Sequence, residues 1–339
     1  KFSAKNLPDG LSLDAETGII TGTTPAKGDY AVTFVAENSR GKRVRPFKLV
    51  AGDTLSLTPQ MGFNDWYAYE QNITEAQMKQ AADTMLSSGM ADVGYQYVNV
   101  DGCWQGQRDT AGNLRGKESF PDMKGLADYI HAKGLKAGLY TSPGPTDCAG
   151  FTGAYKHEAQ DAKQFADWGF DFLKYDWCSY EGVAGKNPTL DEMKKPYQLM
   201  GDLLKQQNRD IVFNLCQYGM GDVWKWGTDV GGQSWRTAGD LYYDLNRLFE
   251  IALKNAELGA YNGPGGWNDP DYLQLGRVSK GMSPSEQYSF MSLWCLLPAP
   301  LFYSGDMAHM DPFTRNILCN PEVIDVNQDS LGKSARVVK

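Results

Sequence analysis

Histidine is scarce: the chain has only three, His131, His157 and His309. A Ser–His–Asp relay is therefore short of candidates. Six cysteines, Cys103, Cys148, Cys178, Cys216, Cys295 and Cys319, form no CxxC pair, and no histidine lies at ligand spacing from any of them. That argues against zinc, and no metal or cofactor is expected. No apolar run reaches the roughly 18 residues that a membrane-spanning helix needs. No GxxxxGK[S/T] loop and no GxGxxG is present, so nucleotide binding lacks its usual phosphate cradle. Basic side chains are outnumbered, 33 against 41 acidic, for a formal charge of −8. An acidic surface repels phosphate backbones and anionic lipid, so neither nucleic acid nor membrane is expected as a partner. No signal peptide is visible, and the chain opens inside a strand-rich segment, which reads as a processed form.

What is present is a sizeable core and many aromatics. Of 339 residues, 42% are hydrophobic, and there are 9 Trp and 18 Tyr. Aromatic faces fill cores and also stack on sugar rings. The length suits one large domain, or a large one with a small one. Residues 1–52 have short alternating runs with Gly/Pro turns: Leu7–Leu13, Thr17–Gly22 and Tyr30–Ala36. They read as a small β-sandwich, resembling the immunoglobulin-like modules attached to bacterial secreted glycosidases and lacking a first strand. Residues 53–339 alternate strand and helix. Strands are predicted at Phe63, 95–100, 135–140, 170–175, 211–216, 234–239, 267–272 and 300–304. Helices are predicted over 122–133, 156–168, 191–207, 241–256 and 285–297. The fold class is α/β, and eight such units imply a (β/α)8 barrel, whose chemistry sits at the carboxyl ends of its strands. Those ends carry Trp66, Asp101, Tyr140, Lys174, Asp176, Gln217, Arg236, Asp240 and Asp271.

Two of these carboxylates suit one reaction. Asp176 ends an apolar strand, and period two places Lys174 on its face, where a buried cation would keep the carboxylate ionised. Asp240 follows Ser234-Trp235-Arg236 near the end of the next strand but one. Glycoside cleavage needs two carboxyls flanking one bond, one attacking or activating water and the other protonating the leaving oxygen. Taken singly, Asp176 could be half of a structural ion pair, and Asp240 could cap a helix starting at Leu241.

Met61-Gly62-Phe63, Val98–Trp104, Leu173–Cys178, Ser234–Asp240, Trp267–Asp271 and Val326–Asp329 together resemble glycoside hydrolase family twenty-seven, the α-galactosidases and their relatives, from about Leu57 to Lys333. The resemblance implies a retaining exo-glycosidase with Asp176 as nucleophile and Asp240 as acid/base, their carboxyls about 5–5.5 Å apart. It implies sugar contacts from Trp66, Asp101, Tyr140, Lys174, Gln217, Arg236 and Asp271. It implies a disulfide between Cys148 and Cys178, suited to an oxidising, secreted or periplasmic location. The substrate implied is a terminal α-galactose on oligosaccharide or polysaccharide side chains. Family members usually carry a further antiparallel β domain after the barrel, and this chain stops at Lys339, where that domain would start.

The departures bear on the sugar. Many relatives have a second Asp where this chain has Gly102, Glu where it has Gln217, a small residue where it has Trp177, and Met where it has Tyr272. Without a second acid at Gly102 the pocket should distinguish galactose from its variants less sharply, unless water or another loop residue fills the gap. β-L-Arabinopyranosidase, α-N-acetylgalactosaminidase and isomaltodextranase-like activities therefore stay open, as does a non-catalytic carbohydrate-binding barrel.

Overall fold

The computed structural model describes residues 1–338 and divides into two units, with the boundary after Leu55. In the first unit, Phe2–Lys5, Gly28–Asn38 and Gly41–Ala51 form an antiparallel sheet with Gly28–Asn38 at its centre. A second antiparallel pair joins Leu11–Leu13 to Ile20–Gly22. Val32 and Val35 are buried, and the Phe34 and Phe47 rings lie 5.6 Å apart. The strand Gly41–Ala51 escaped the sequence reading because Lys42, Arg43, Arg45, Pro46 and Lys48 hide its alternation. Charge and proline are what a sheet edge tolerates, and this strand pairs on one side only.

The second unit begins at Ser56 and is the expected barrel. Its strands are Met61–Asn64, Tyr97–Asn99, Lys136–Thr141, Phe172–Asp176, Val212–Cys216, Ser234–Arg236, Trp267–Asp269 and Leu301–Tyr303. Seven pair in parallel in chain order, and the eighth pairs with the first. A parallel bridge between Leu273 and Tyr303 closes the ring.

Period two sorts each strand between the barrel interior and the surrounding helices. Along the fourth strand, Leu173 and Tyr175 face outward, and the Tyr175 ring meets Tyr197 of helix Leu190–Lys205 at 5.8 Å. Phe172, Lys174 and Asp176 face inward. Phe172, Tyr97 and Phe302 plug the interior, with ring centroids 5.3–6.3 Å apart. A polar layer lies above them, where Asn214 Nδ2 donates to Ser234 Oγ at 2.8 Å and to Asp269 Oδ2 at 3.0 Å. Gly138 is required in that layer: a Cβ there would lie 1.7 Å from Asn99 Oδ1.

The helices start where local chemistry dictates. Thr189 with Glu192, and Ser283 with Glu286, form reciprocal capping boxes for Leu190–Lys205 and Pro284–Leu296. The helix Glu75–Ser87 was not predicted, although Met78, Ala81, Ala82 and Met85 give it a buried stripe at helical spacing. The helix expected from Leu241 instead runs Leu245–Glu257, and its cap is Asp244, which accepts from the Asn246 and Arg247 amides. Asp240 is thus free of the capping role. Beyond the fifth strand the crossover is a 3₁₀ run, Met220–Lys225, rather than a full α-helix.

Candidate active site

A cavity of about 560 Å³ opens at the carboxyl ends of the strands. Trp66, Asp101, Tyr140, Lys174, Asp176, Arg236, Asp240 and Asp271 all line it. The barrel therefore gathers eight of the nine proposed catalytic and sugar-contacting residues, drawn from six strand ends and the segments that follow them.

Asp176 is 6% exposed. Its Oδ1 accepts from Tyr218 Oη at 2.7 Å and its Oδ2 from Tyr140 Oη at 3.2 Å. Burial pushes its carboxyl above the usual range, while the Lys174 charge and the Tyr218 hydroxyl pull it back. The expected pairing with Lys174 takes a different form. Lys174 Nζ donates to Asp101 Oδ2 at 2.9 Å and lies over the Tyr140 and Tyr272 rings. Its direct partner is therefore the second-strand acid, and it reaches Asp176 only through space. Asp101 Oδ2 also accepts from Asn64 Nδ2 at 2.8 Å and Tyr272 Oη at 3.2 Å. Tyr272 thus joins the acid network at the position where Met is usual. Beneath it, Asp65 Oδ1 takes the Asp101 amide at 2.6 Å, and burial with the neighbouring Asp101 charge pushes Asp65 well up.

Arg236 bridges the other side of the cavity. Its Nη2 lies 3.0 Å from Asp240 Oδ1 and 3.2 Å from Asp271 Oδ2. Asp271 is fully buried, held by Tyr67 Oη at 2.7 Å and the Leu241 amide at 2.9 Å, on a backbone with φ of 92°. Burial raises Asp271, against the pull of Arg236. Asp240 has a side chain 26% exposed. Burial acts upward on it, but the Arg236 guanidinium and a hydrogen bond from Tyr242 outweigh this and hold Asp240 below the usual carboxylate range. That hydrogen bond in turn pushes Tyr242 up to about 12.

Gln217 departs from expectation. It is 1% exposed and its side chain turns into its own loop, with Oε1 accepting from the Gly219 and Met220 amides at 2.8 and 3.0 Å. It does not line the cavity. The adjacent Tyr218, at φ 63°, points in instead and holds Asp176. Tyr218 had no period to betray it, because its direction comes from a left-handed backbone turn. Trp177 lies near Tyr197, 6.2 Å away and nearly parallel, outside the cavity. Cys148 and Cys178 form a disulfide. Cys103, Cys216 and Cys295 are buried free thiols, and burial pushes Cys103 and Cys295 up to about 12. Such thiols are poor nucleophiles at neutral pH.

Known families match both units of the chain. A family described as "Alpha galactosidase A" matches residues 58–329, and one described as "Putative Ig domain" matches residues 1–52. Alpha-galactosidase A of Cellvibrio japonicus is 41% identical over 296 residues, spanning 84% of this chain and 70% of the relative. Alpha-galactosidase 2 of Arabidopsis thaliana is 42% identical over 296 residues, spanning 86% and 72%. The crystal structure of alpha-galactosidase I from Mortierella vinacea superposes with a TM-score of 0.80 at 34% identity, covering 85% of this chain and 78% of that one. The chain therefore belongs to the alpha galactosidase A family of glycoside hydrolases, with an immunoglobulin-like domain ahead of the barrel.

Proposed function

We propose that this protein is an exo-acting α-galactosidase that works by double displacement, with Asp176 as nucleophile and Asp240 as acid/base. The observation that carries the reading is the pair of carboxylates facing one cavity, Asp176 with tyrosine hydroxyls on both its oxygens and Asp240 at the more exposed wall. In the first step an Asp176 oxygen bonds to the anomeric carbon as the glycosidic bond breaks. The leaving oxygen takes the Asp240 proton. In the second step Asp240 takes a proton from water, the water oxygen bonds to the anomeric carbon, and the Asp176 ester is released with overall retention. Trp66 offers a ring to stack on the sugar, and Asp101, Lys174, Arg236 and Asp271 offer charged partners to its hydroxyls.

We assign catalysis to residues 53–339, whose side chains line the cavity, and a spacer role to the module of residues 1–52. The Cys148–Cys178 bond supports an oxidising compartment, hence a secreted or periplasmic protein acting on oligosaccharides or polysaccharide side chains. No helix among the described residues is long and apolar enough to cross a membrane.

Replacing Asp176 tests the reading. Asp176→Asn should lose at least roughly 10³-fold in kcat on an aryl α-galactoside while melting like the parent, because an amide cannot form the glycosyl ester. Asp176→Gly should regain turnover with external azide and yield a galactosyl azide of inverted configuration. Retained activity in the first variant, or no azide product from the second, would remove Asp176 from the nucleophile's role.

A further inference from the structure

Gly102 leaves no side chain at the end of the second strand, yet the space beside it is occupied. A Cβ built on Gly102 would lie 3.2 Å from Asp147 Oδ2 and 3.2 Å from Tyr140 Cε1. Asp147 comes from the loop after the third strand, is 3% exposed and lines the cavity alongside Gly102. We infer that Asp147 supplies from this loop the sugar-binding carboxylate that Gly102 lacks, and so sets the selectivity of the pocket for galactose. The inference rests on the α-galactosidase reading above.

The two oxygens of Asp147 have separate duties. Oδ1 accepts from the Ala149 and Phe151 amides at 2.9 and 2.8 Å and so holds the turn. Among the described residues, Oδ2 has a single long hydrogen bond, from the Cys103 amide at 3.3 Å. A carboxylate oxygen has two lone pairs, so Oδ2 keeps capacity for a sugar hydroxyl. The carboxylate is also held in place. On one side Thr146 exchanges hydrogen bonds with Ser179 at 3.0 and 2.6 Å, and on the other Cys148 is bonded to Cys178. Such fixing from both sides is what pre-organises a binding group.

Position defines which part of the sugar Asp147 meets. Asp176 has to face the anomeric carbon. Tyr140 runs from Asp176, which its hydroxyl touches, toward Gly102, near which its ring edge lies. Asp147 therefore stands about one tyrosine ring away from the reacting carbon, where a pyranose presents the edge carrying its 4-hydroxyl and its 6-carbon. A hydrogen bond to a charged acceptor there corresponds to roughly ten- to hundredfold in selectivity. An acid at position 102 and Asp147 would also compete for one place, since two carboxylates so close repel.

The test is a comparison of kcat/KM for 4-nitrophenyl α-D-galactopyranoside, β-L-arabinopyranoside, which lacks the 6-carbon, and α-D-glucopyranoside, the 4-epimer, using the full chain. Asp147→Asn keeps an acceptor for the turn and loses the one beside Gly102. Its preference for galactoside over at least one of the other two sugars should fall tenfold or more, and adding Gly102→Asp to it should restore that preference. Gly102→Asp alone should lower galactoside efficiency about tenfold with an unchanged melting temperature, which keeps the idea testable if Asp147→Asn folds poorly. Equal loss on all three sugars, no rescue in the double variant, or a neutral Gly102→Asp would overturn the assignment and leave Asp147 a turn residue. Wild-type protein without α-galactoside turnover would instead overturn the parent reading and take this inference with it.

Discussion

Asp176 and Asp240 are pulled in opposite directions by their surroundings. Burial lifts Asp176, while Arg236 at 3.0 Å and the Tyr242 hydroxyl hold Asp240 down. The proposed reaction needs the reverse, an ionised Asp176 and a protonated Asp240. These directions put Asp176 above Asp240 in the order of titration, opposite to the order that the two roles suggest. Because kcat/KM reports the free enzyme, its acid limb should follow Asp240 and its alkaline limb Asp176. Tyr242→Phe removes one of the groups that favour ionised Asp240. Asp240 should then hold its proton to higher pH, so the acid limb moves up and the maximum of kcat/KM rises by roughly a few-fold. An acid limb that stays in place in a pH–rate profile of this variant would show that Tyr242 does not set the charge on Asp240. Asp176 was legible in the sequence because a strand period fixes where it points, and Asp101 and Arg236 because they stand in motifs that the family shares at strand ends. Tyr218 and Asp147 were not, since a left-handed turn aims the first and a contact across 45 residues places the second.

The barrel elements are fastened at the end away from the cavity by Asp171, just before the fourth strand. Its Oδ2 accepts from the Ala137 amide of the third strand at 2.9 Å and contacts His131 Nε2, in helix Met123–His131, at 2.8 Å. Its Oδ1 accepts from Arg209 Nη2, just beyond helix Leu190–Lys205, at 2.6 Å. Burial acts to raise Asp171, but the His131 hydrogen bond, the Arg209 charge and the Ala137 amide outweigh it and hold its carboxyl below the usual range. A carboxyl lowered by folding contributes stability that is present above its unfolded pKa of about 3.9 and is lost as pH falls through the folded value. Asp171→Asn should therefore cost about 2 kcal/mol at pH near 6, a hydrogen-bonded charge being lost, and less near pH 3. Urea titrations of the two proteins at both pH values would show it, and a difference independent of pH would mean that shape rather than charge holds this corner. The strands were legible at this scale because their apolar runs are buried on both faces. The helix Glu75–Ser87 was missed because methionine and alanine make a weak stripe, and the start of Leu245–Glu257 was misplaced because Asp240 and Asp244 both look like caps.

At the scale of the whole barrel mouth, one covalent bond ties the loop after the third strand to the end of the fourth. Cys148 follows Asp147, and Cys178 lies two residues beyond Asp176, so the disulfide joins the segments carrying both acids. Its sulfurs also touch the two tyrosines that hold Asp176. Cys178 Sγ lies 3.3 Å from Tyr140 Oη, and Cys148 Sγ lies 3.5 Å from Tyr218 Oη. The bond closes a segment of 30 residues in sequence separation, which on loop entropy alone corresponds to about 3–4 kcal/mol. The hydrophobic core lies elsewhere, among the strands and the helices around them, so the barrel should survive the loss of the bond while the mouth loosens. Two separate thiols need more room than a disulfide and would press on both tyrosines, so the effect should fall on turnover before binding. Full reduction, or Cys148→Ser with Cys178→Ser, should lower kcat on an aryl α-galactoside by tenfold or more, change KM less and leave the far-ultraviolet circular dichroism spectrum in place. If protein shown by mass to be fully reduced turns over at the oxidised rate, the disulfide braces stability alone and the tyrosines hold Asp176 without it.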